Sequence, residues 1–211
     1  MDKLQHYIVT TVYTLMDNKS IIPIFPLNIL PLPGELVPLH IFEQRYRDLL
    51  VDLERDEIEF GIFYVADENT ERMGSIVKLQ KVLKRYETGE SDIVVQCTGT
   101  FIMCKYLKSF QDRLYAGGEV MILDSIGETS ANLKLKEDYS EYQTLLGREP
   151  LAQDISLDSI ANSIDLDSSD RLKYLTILEI PKKQNFLDSR LTYKKYIVDQ
   201  EFKYKHSYTL N

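Results

Sequence analysis

The sequence lacks the motifs by which most nucleotide-driven and hydrolytic enzymes are recognised. No glycine is followed by lysine, which excludes a Walker A phosphate loop. Neither a Gly-x-Ser-x-Gly nucleophile elbow nor a His-Glu-x-x-His zinc motif occurs. The histidines are His6, His40 and His206, far apart in the chain. We therefore expect no catalytic residue, no metal and no other cofactor, and the His40-x-x-Glu43 spacing is interpreted as structural.

Long apolar runs are also missing. No run approaches the roughly 20 apolar residues that span a bilayer. The N-terminus has neither the basic start nor the small-residue cleavage site of a signal peptide. Cysteine is scarce, and Cys97 and Cys104 are predicted to be free thiols rather than a redox pair. These absences predict a cytoplasmic location and no membrane contact.

Positive charge is in deficit, with a formal net charge of −8 and a pI of about 5.0. An acidic protein is repelled by phosphate backbones, which disfavours nucleic acid as a partner. Residues 182–205 are the exception, with seven Lys/Arg against three acids. Aromatic residues are interleaved there, a pattern typical of contact with single-stranded nucleic acid. RNA binding therefore stays an alternative. The aromatic residues are Tyr193, Tyr196, Phe202 and Tyr204.

The periodicity of the chain changes near Gly127. Before it, apolar and β-branched segments alternate with polar turns, and one helical pattern extends from Phe42 to Asp56. After it, helical patterns dominate. The sequence predicts an α+β protein with an extension over 1–19, a β-rich subdomain over 20–127, a helical subdomain over 128–200 and a tail over 201–211.

Local signals place the individual elements. Four strands are expected after the first helix, the second with a bulge, and Gly89 is expected at positive φ in the turn between the second and third. Helix caps are predicted at Asp154 or Ser156 and at Asp167, and a final helix over 183–199. The carboxylates Asp52, Glu54, Asp56 and Glu57 are interpreted as a solvated helix end. The expected strands are 58–65, 74–87, 92–110 and 114–123.

The residues 22–46, IPIFPLNILPLPGELVPLHIFEQRY, are the most distinctive part of the chain. They resemble the N-terminal substrate-binding domain of Lon ATP-dependent proteases, whose pattern runs P-L-F-P-L, P-G and P-L-H-I-F-E-x-R-Y. The resemblance continues through Phe60-Gly61, Gly74 and the residues 89–93, and covers about residues 20–200. The chain departs from the family at Cys97, where glycine is common, and at Gly99, where arginine is frequent.

The resemblance implies a PUA-like β-barrel subdomain followed by a small helical bundle, similar to stand-alone bacterial Lon-domain proteins. It implies a non-catalytic protein or peptide-recognition module, acting as an adaptor in ATP-dependent proteolysis. Its partners would be unfolded or exposed apolar protein segments, or a partner protein. Two alternatives stay open. One is an RNA-binding PUA-like protein, and the other is a regulatory subunit of a split ATP-dependent protease with catalysis supplied in trans.

Two sets of residues near the distinctive stretch are candidates for a role. The motif residues are expected to be structural: Pro33, Gly34, His40, Phe42, Glu43, Arg45 and Tyr46. Apolar residues beside the proline-rich loop are the candidates for binding, because exposed leucines can take unfolded segments. The alternative is that they pack beneath the loop. These residues are Leu30, Leu32, Leu36 and Val37.

The absence of catalytic motifs generates a first prediction. The purified chain should hydrolyse neither ATP nor casein, because it carries no phosphate loop and no recognised nucleophile motif. Phosphate release and fluorescent casein cleavage measure this directly. Activity that co-elutes with the pure protein and survives a second purification step would contradict the prediction.

Overall fold

The computed structural model describes residues 19–123, 127–149 and 154–208. The chain divides into two compact units, with the boundary between Ser125 and Ile126. The expected extension over residues 1–19 lies outside the described residues, apart from Lys19. No helix in the described ranges is both long and apolar enough to cross a membrane.

Unit 1 is built on six strands in the order β2-β5-β4-β3-β1-β6, with a further pairing between β5 and β6. That pairing closes β1, β3, β4, β5 and β6 into a ring. The pair β1–β3 is parallel and the other pairs are antiparallel. The strands are β1 (Lys19–Leu27), β2 (Leu36–Ile41), β3 (Phe60–Tyr64), β4 (Met73–Arg85), β5 (Ser91–Leu107) and β6 (Ala116–Leu123).

The interior of the ring is filled by Phe101, which is fully buried. Two glycines make room for its ring. A Cβ at Gly74 would lie 2.3 Å from Phe101 Cζ, and a Cβ at Gly61 would lie 2.7 Å from Phe101 Cε1. The Phe60-Gly61 and Gly74 positions of the family pattern therefore have a packing cause, because any side chain there would displace the aromatic ring.

The first half of β5 and the second half of β4 extend beyond the ring and join β2 in a three-stranded sheet. Helix α1 (Gln44–Asp56) covers one face of this sheet with Tyr46, Leu49, Leu50 and Leu53. Side chains alternate along each strand, so β2, β4 and β5 place one set of residues against the helix. The predicted bulge in β4 is confirmed, since its register with β5 shifts at three points.

Helix α1 is attached to the barrel by a buried carboxylate. The side chain of Asp52 is only 4% exposed. Its Oδ1 accepts from Arg55 Nη2 at 2.8 Å and from Arg113 Nη2 at 2.9 Å, and its Oδ2 accepts from the Tyr115 hydroxyl at 2.7 Å. Burial of the hydroxyl, and then its bond to Asp52, raises the pKa of Tyr115. The prediction of a solvated helix end was wrong at Asp52, because that residue lies on the buried face of α1.

The described residues of unit 2 form four helices: α2 (Leu133–Leu145), α3 (Leu157–Ser163), α4 (Ser168–Thr176) and α5 (Ile180–Tyr208). The predicted caps at Ser156 and Asp167 are confirmed, as each side chain accepts a backbone N–H of its helix. The prediction for α5 was too short, because the helix starts at Ile180 and includes residues 201–208, expected as a tail. Pro181 lies in the first turn of α5, where proline is tolerated because its missing N–H would have no acceptor within the helix.

The core of unit 2 encloses a polar cluster. The Tyr174 hydroxyl donates to Asp158 Oδ1 at 2.7 Å, and Lys183 Nζ lies 4.0 Å from the centre of the Tyr174 ring. Burial lowers the pKa of Lys183, while the nearby charge of Asp158 opposes that effect. A Cβ at Gly127 would lie 1.9 Å from Asp158 Oδ1, so the carboxylate fits only because residue 127 is glycine.

The buried carboxylate of unit 1 gives a second prediction. Asp52→Ala should lower the free energy of unfolding by about 2–4 kcal/mol, because two arginines and the buried Tyr115 hydroxyl lose their acceptor. Urea denaturation followed by tyrosine fluorescence measures the loss. Asp56→Ala removes a carboxylate on the same helix, bonded to Arg55 but 44% exposed, and should leave the midpoint unchanged. Equal stability of Asp52→Ala and the wild type would contradict the prediction.

Candidate polypeptide-binding face

The three-stranded sheet of β2, β5 and β4 has a second face, turned to solvent. Leu36 is opposite Gln96, Pro38 opposite Val94 and His40 opposite Asp92. Directly opposed residues of antiparallel strands share a face. We call these six residues the outer face. It is bordered by three lysines of β4, opposite Gln96, Val94 and Asp92 respectively: Lys78, Lys81 and Lys84.

An aromatic group occupies one end of the outer face. The rings of His40 and Phe42 are 6.0 Å apart and nearly parallel, and the Tyr86 ring meets His40 edge-on at the same distance. Phe42 is 57% exposed. At the other end of β2, Leu36 is 60% exposed. The exposed side chains of Leu36, Pro38 and Phe42 thus follow one line along β2 and just beyond its end. His40 is the polar residue in this line.

Hydrogen bonds hold the aromatic end in place. Asp92 Oδ1 lies 2.6 Å from His40 Nδ1, which must donate because a carboxylate only accepts. The Tyr86 hydroxyl donates to Asp92 Oδ2 at 2.7 Å. The bonds from His40 and Tyr86 lower the pKa of Asp92, and the same contact raises the pKa of Tyr86. Glu90 Oε2 lies 3.7 Å from His40 Nε2.

The predicted binding leucines divide into two groups. Leu30 and Leu32 are buried, at 1% and 0% exposure, so the expectation of an exposed surface was wrong for them. The loop is fixed by hydrogen bonds to its backbone: Gly34 N donates to Cys97 O, and the side-chain Ser75 Oγ donates to Pro31 O. These bonds turn both leucines inward. Two candidates remain near solvent: Leu36, exposed on the outer face, and Val37, partly buried on the opposite face.

The motif residues lie in different environments. Gly34 has a φ of 85°, a left-handed conformation that favours glycine. Tyr46 is buried and stacks on Phe25, with ring centroids 3.7 Å apart. Arg45 and Glu43 form an ion pair of 2.8 Å that is about half exposed, and Arg45 lies over the Tyr46 ring. Pro33 is partly buried. His40 and Phe42, by contrast, are exposed at the aromatic end of the outer face.

His40 and Glu43, whose spacing could suit a metal site, each bond a different residue. Glu43 bonds Arg45, while His40 bonds Asp92. Within residues 19–123, 127–149 and 154–208, no three His, Cys, Asp or Glu side chains are placed to hold a metal ion. Cys97 is buried and Cys104 is exposed, and no disulfide joins them.

The basic and aromatic part of α5 belongs to unit 2. Four of its aromatic residues, Tyr193, Tyr196, Phe202 and Tyr204, are exposed, from 58% at Tyr193 to 64% at Tyr204. Three of its cations, however, pair with carboxylates of residues 134–170, a segment rich in Asp and Glu. Lys195 bonds both Asp138 and Glu141, and Arg190 bonds Asp170. Lys194 and Lys203 also have carboxylate partners. Part of the charge of the two segments is therefore compensated within the unit.

The six-stranded mixed sheet followed by helices makes this an α+β protein, as the sequence predicts. The model of the ATP-dependent protease La (LON) substrate-binding domain matches residues 21–195. The chain therefore belongs to the Lon substrate-binding domain family. A search of curated protein sequences found no significant match.

Solved structures share the fold. A Lon N-terminal domain protein from Xanthomonas campestris aligns with a TM-score of 0.62 at 21% identity, covering 82% of this chain and 98% of that one. The N-terminal domain of the Mycobacterium avium complex Lon protease aligns with a TM-score of 0.56 at 14% identity, with the same coverages. At such identities the likeness shows the fold alone.

The Asp92 bonds generate a third prediction. Asp92 has a folded-state pKa below its ordinary value of 3.8, so its contribution to stability is present above about pH 4 and is lost as the pH falls through the folded pKa. Asp92→Asn should therefore lose less stability than the wild type between about pH 5 and pH 3. Urea midpoints across that range test this. Asp112→Asn, in an exposed turn, should keep the wild-type pH profile, and identical profiles for all three proteins would contradict the prediction.

Proposed function

We propose that this domain recognises exposed apolar segments of other polypeptide chains through the outer face and the adjoining Phe42. The observation that carries the proposal is the exposure of Leu36 and Phe42, at 60% and 57%, along one line of a sheet whose opposite face is packed on α1. Large exposed apolar side chains grouped on one surface are typical of binding sites. The match to a substrate-binding domain family supports the same reading.

The rim of the outer face suits a polypeptide better than a small molecule. The surface is the face of a pleated sheet. Its exposed apolar side chains follow the edge strand β2, and its polar groups Gln96, Asp92 and the lysines lie on the neighbouring strands β5 and β4. An apolar patch bordered by polar residues is a common arrangement in protein interfaces. The bond network of His40, Asp92 and Tyr86 holds the aromatic end rigid, which lowers the entropy cost of binding.

Recognition of apolar segments would suit a non-catalytic adaptor in ATP-dependent proteolysis. Such segments are exposed in unfolded or damaged proteins and covered in folded ones. The domain would bind them and bring them to a protease that supplies ATP hydrolysis and peptide cleavage in trans. The support for this role is the family match, together with the lack of catalytic motifs in the sequence.

A binding assay tests the proposal. Leu36→Ser and Phe42→Ser together should weaken binding of reduced, carboxymethylated lactalbumin by about tenfold or more, because each buried apolar side chain contributes about 1.5–3 kcal/mol. Fluorescence anisotropy of the labelled unfolded protein measures this. Val65→Ser, at a residue 53% exposed elsewhere in unit 1, is the matched control and should bind as the wild type does.

Two results would contradict the proposed function. If the double variant binds as tightly as the wild type while remaining folded by circular dichroism, the outer face is not the recognition surface. If neither protein binds the unfolded chain but both bind its folded form, recognition of exposed apolar segments is itself refuted.

A further inference from the structure

Strand β4 has an open backbone edge in its second half. From Gly74 to Val77 it pairs with β3 on one side, but β3 begins at Phe60, the partner of Val77. Beyond that point residues 78–85 pair only with β5. In the described part of the chain, their backbone groups make no other hydrogen bond. A row of donors and acceptors therefore faces away from the sheet.

The open edge borders a groove rather than flat surface. The groove has a volume of about 440 Å³ and runs between residues 78–82 of β4 and the end of α1. Leu79 and Val82 are partly buried on the side of the core. Across the groove, Leu53 and Ile58 complete an apolar floor, and Glu54 and Glu57 line the helix side.

We infer that this groove binds an extended polypeptide segment as an added strand beside residues 78–82 of β4. The backbone of the segment would donate and accept hydrogen bonds along the open edge, in line with β3. Strand addition of this kind derives affinity from main-chain bonds and specificity from alternate side chains. The groove does not include Leu36 or Phe42, although it shares Lys78 and Lys81 with the border of the outer face and both surfaces would take polypeptide ligands.

The charges around the groove define the side chains of the segment. Lys78 and Lys81 flank the open edge on the outer side, and no ion pair engages them within the described residues. They favour carboxylates at alternate positions of the added strand. The intervening positions face Leu79, Val82 and the end of α1, where apolar side chains fit. Glu57 disfavours acids there, whereas the charge of Glu54 is compensated by Arg85. The predicted ligand thus alternates apolar and acidic residues.

The other open edge of this sheet, on β2, is less suited to the same use. Pro38 lies in the middle of that strand and has no N–H to donate. Proline is one device that protects edge strands against pairing, and β4 carries two others, lysines and bulges, so its partner has to complement them. In β4 the bulges shift the register without introducing a proline, and the apolar floor gives the added strand a surface on which to pack.

The experiment uses the full chain and a labelled peptide of about ten residues that alternates valine and glutamate. Fluorescence anisotropy should give a Kd below about 1 mM. Hydrogen exchange of the amides in residues 78–82 should slow at least about tenfold on binding, since main-chain bonds protect amides. The same peptide methylated on alternate backbone nitrogens should lose about tenfold or more in affinity, because it cannot complete the ladder.

A charge reversal completes the test. Lys78→Glu with Lys81→Glu should weaken binding of the valine–glutamate peptide by about tenfold or more. Lys108→Glu, the same change in an exposed turn of unit 1, should leave it unchanged. Absence of binding at about 1 mM, binding without protection of residues 78–82, or equal binding of the methylated peptide would each overturn the inference. None of these results bears on lactalbumin binding, so the two proposals fail separately.

Discussion

The register of strand β5 is the constraint on which the rest of unit 1 depends. This single strand of 17 residues pairs with β2 and β6 along one edge and with β4 along the other. Its alternation places Ile93 and Val95 against α1, and Asp92, Val94 and Gln96 towards solvent. A slip by one residue would exchange the two sets. Register shifts occur where β5 pairs with β4 and with β6, while the first half of β5 stays regular against β2.

Helix α1 fixes that arrangement from the inside. Its apolar side chains cover the inner face of the three-stranded sheet, and Asp52 bonds Arg113 and Tyr115 just before β6. The helix is thereby joined both to the sheet and to the ring of strands. Because this packing covers the inner face, the sheet can offer a partner its outer face and its open strand edges. On the outer face, His40, Asp92 and Tyr86 are held in place by hydrogen bonds to one another.

Much of this fold could be predicted from local sequence patterns, and the predictions that were wrong have physical causes. The strands, the bulge, Gly34, Gly89 and the caps of the short helices follow from period and turn chemistry, which are local. The burial of Leu30 and Leu32 depends on bonds from the loop to distant strands, such as Gly34 to Cys97. The burial of Asp52 likewise needs Arg113 and Tyr115, far along the chain. The outer face was not foreseen as a unit, because the strand pairing alone unites Leu36, Val94 and the lysines.

The pairing of charges in unit 2 also depends on residues that are far apart in the sequence. Composition sets an acidic segment apart from a basic, aromatic helix, and each segment alone suggests a different partner. The fold brings them together, so that lysines of α5 bond carboxylates such as Asp138 and Glu141 of α2. The exposed aromatic residues of α5 are then not accompanied by an unpaired cationic stripe among the residues described. Polypeptide recognition by unit 1 is accordingly the account that the contacts favour.

The most direct test of that account is to map an unfolded ligand onto the isotopically labelled protein by NMR. Titration with carboxymethylated lactalbumin should shift or broaden the amide signals of residues 36–42 and 91–97, which carry the outer face. Signals from the ring interior, around Phe101, should stay in place. Perturbations confined to residues 127–208, with none in β2 or the first half of β5, would contradict the account.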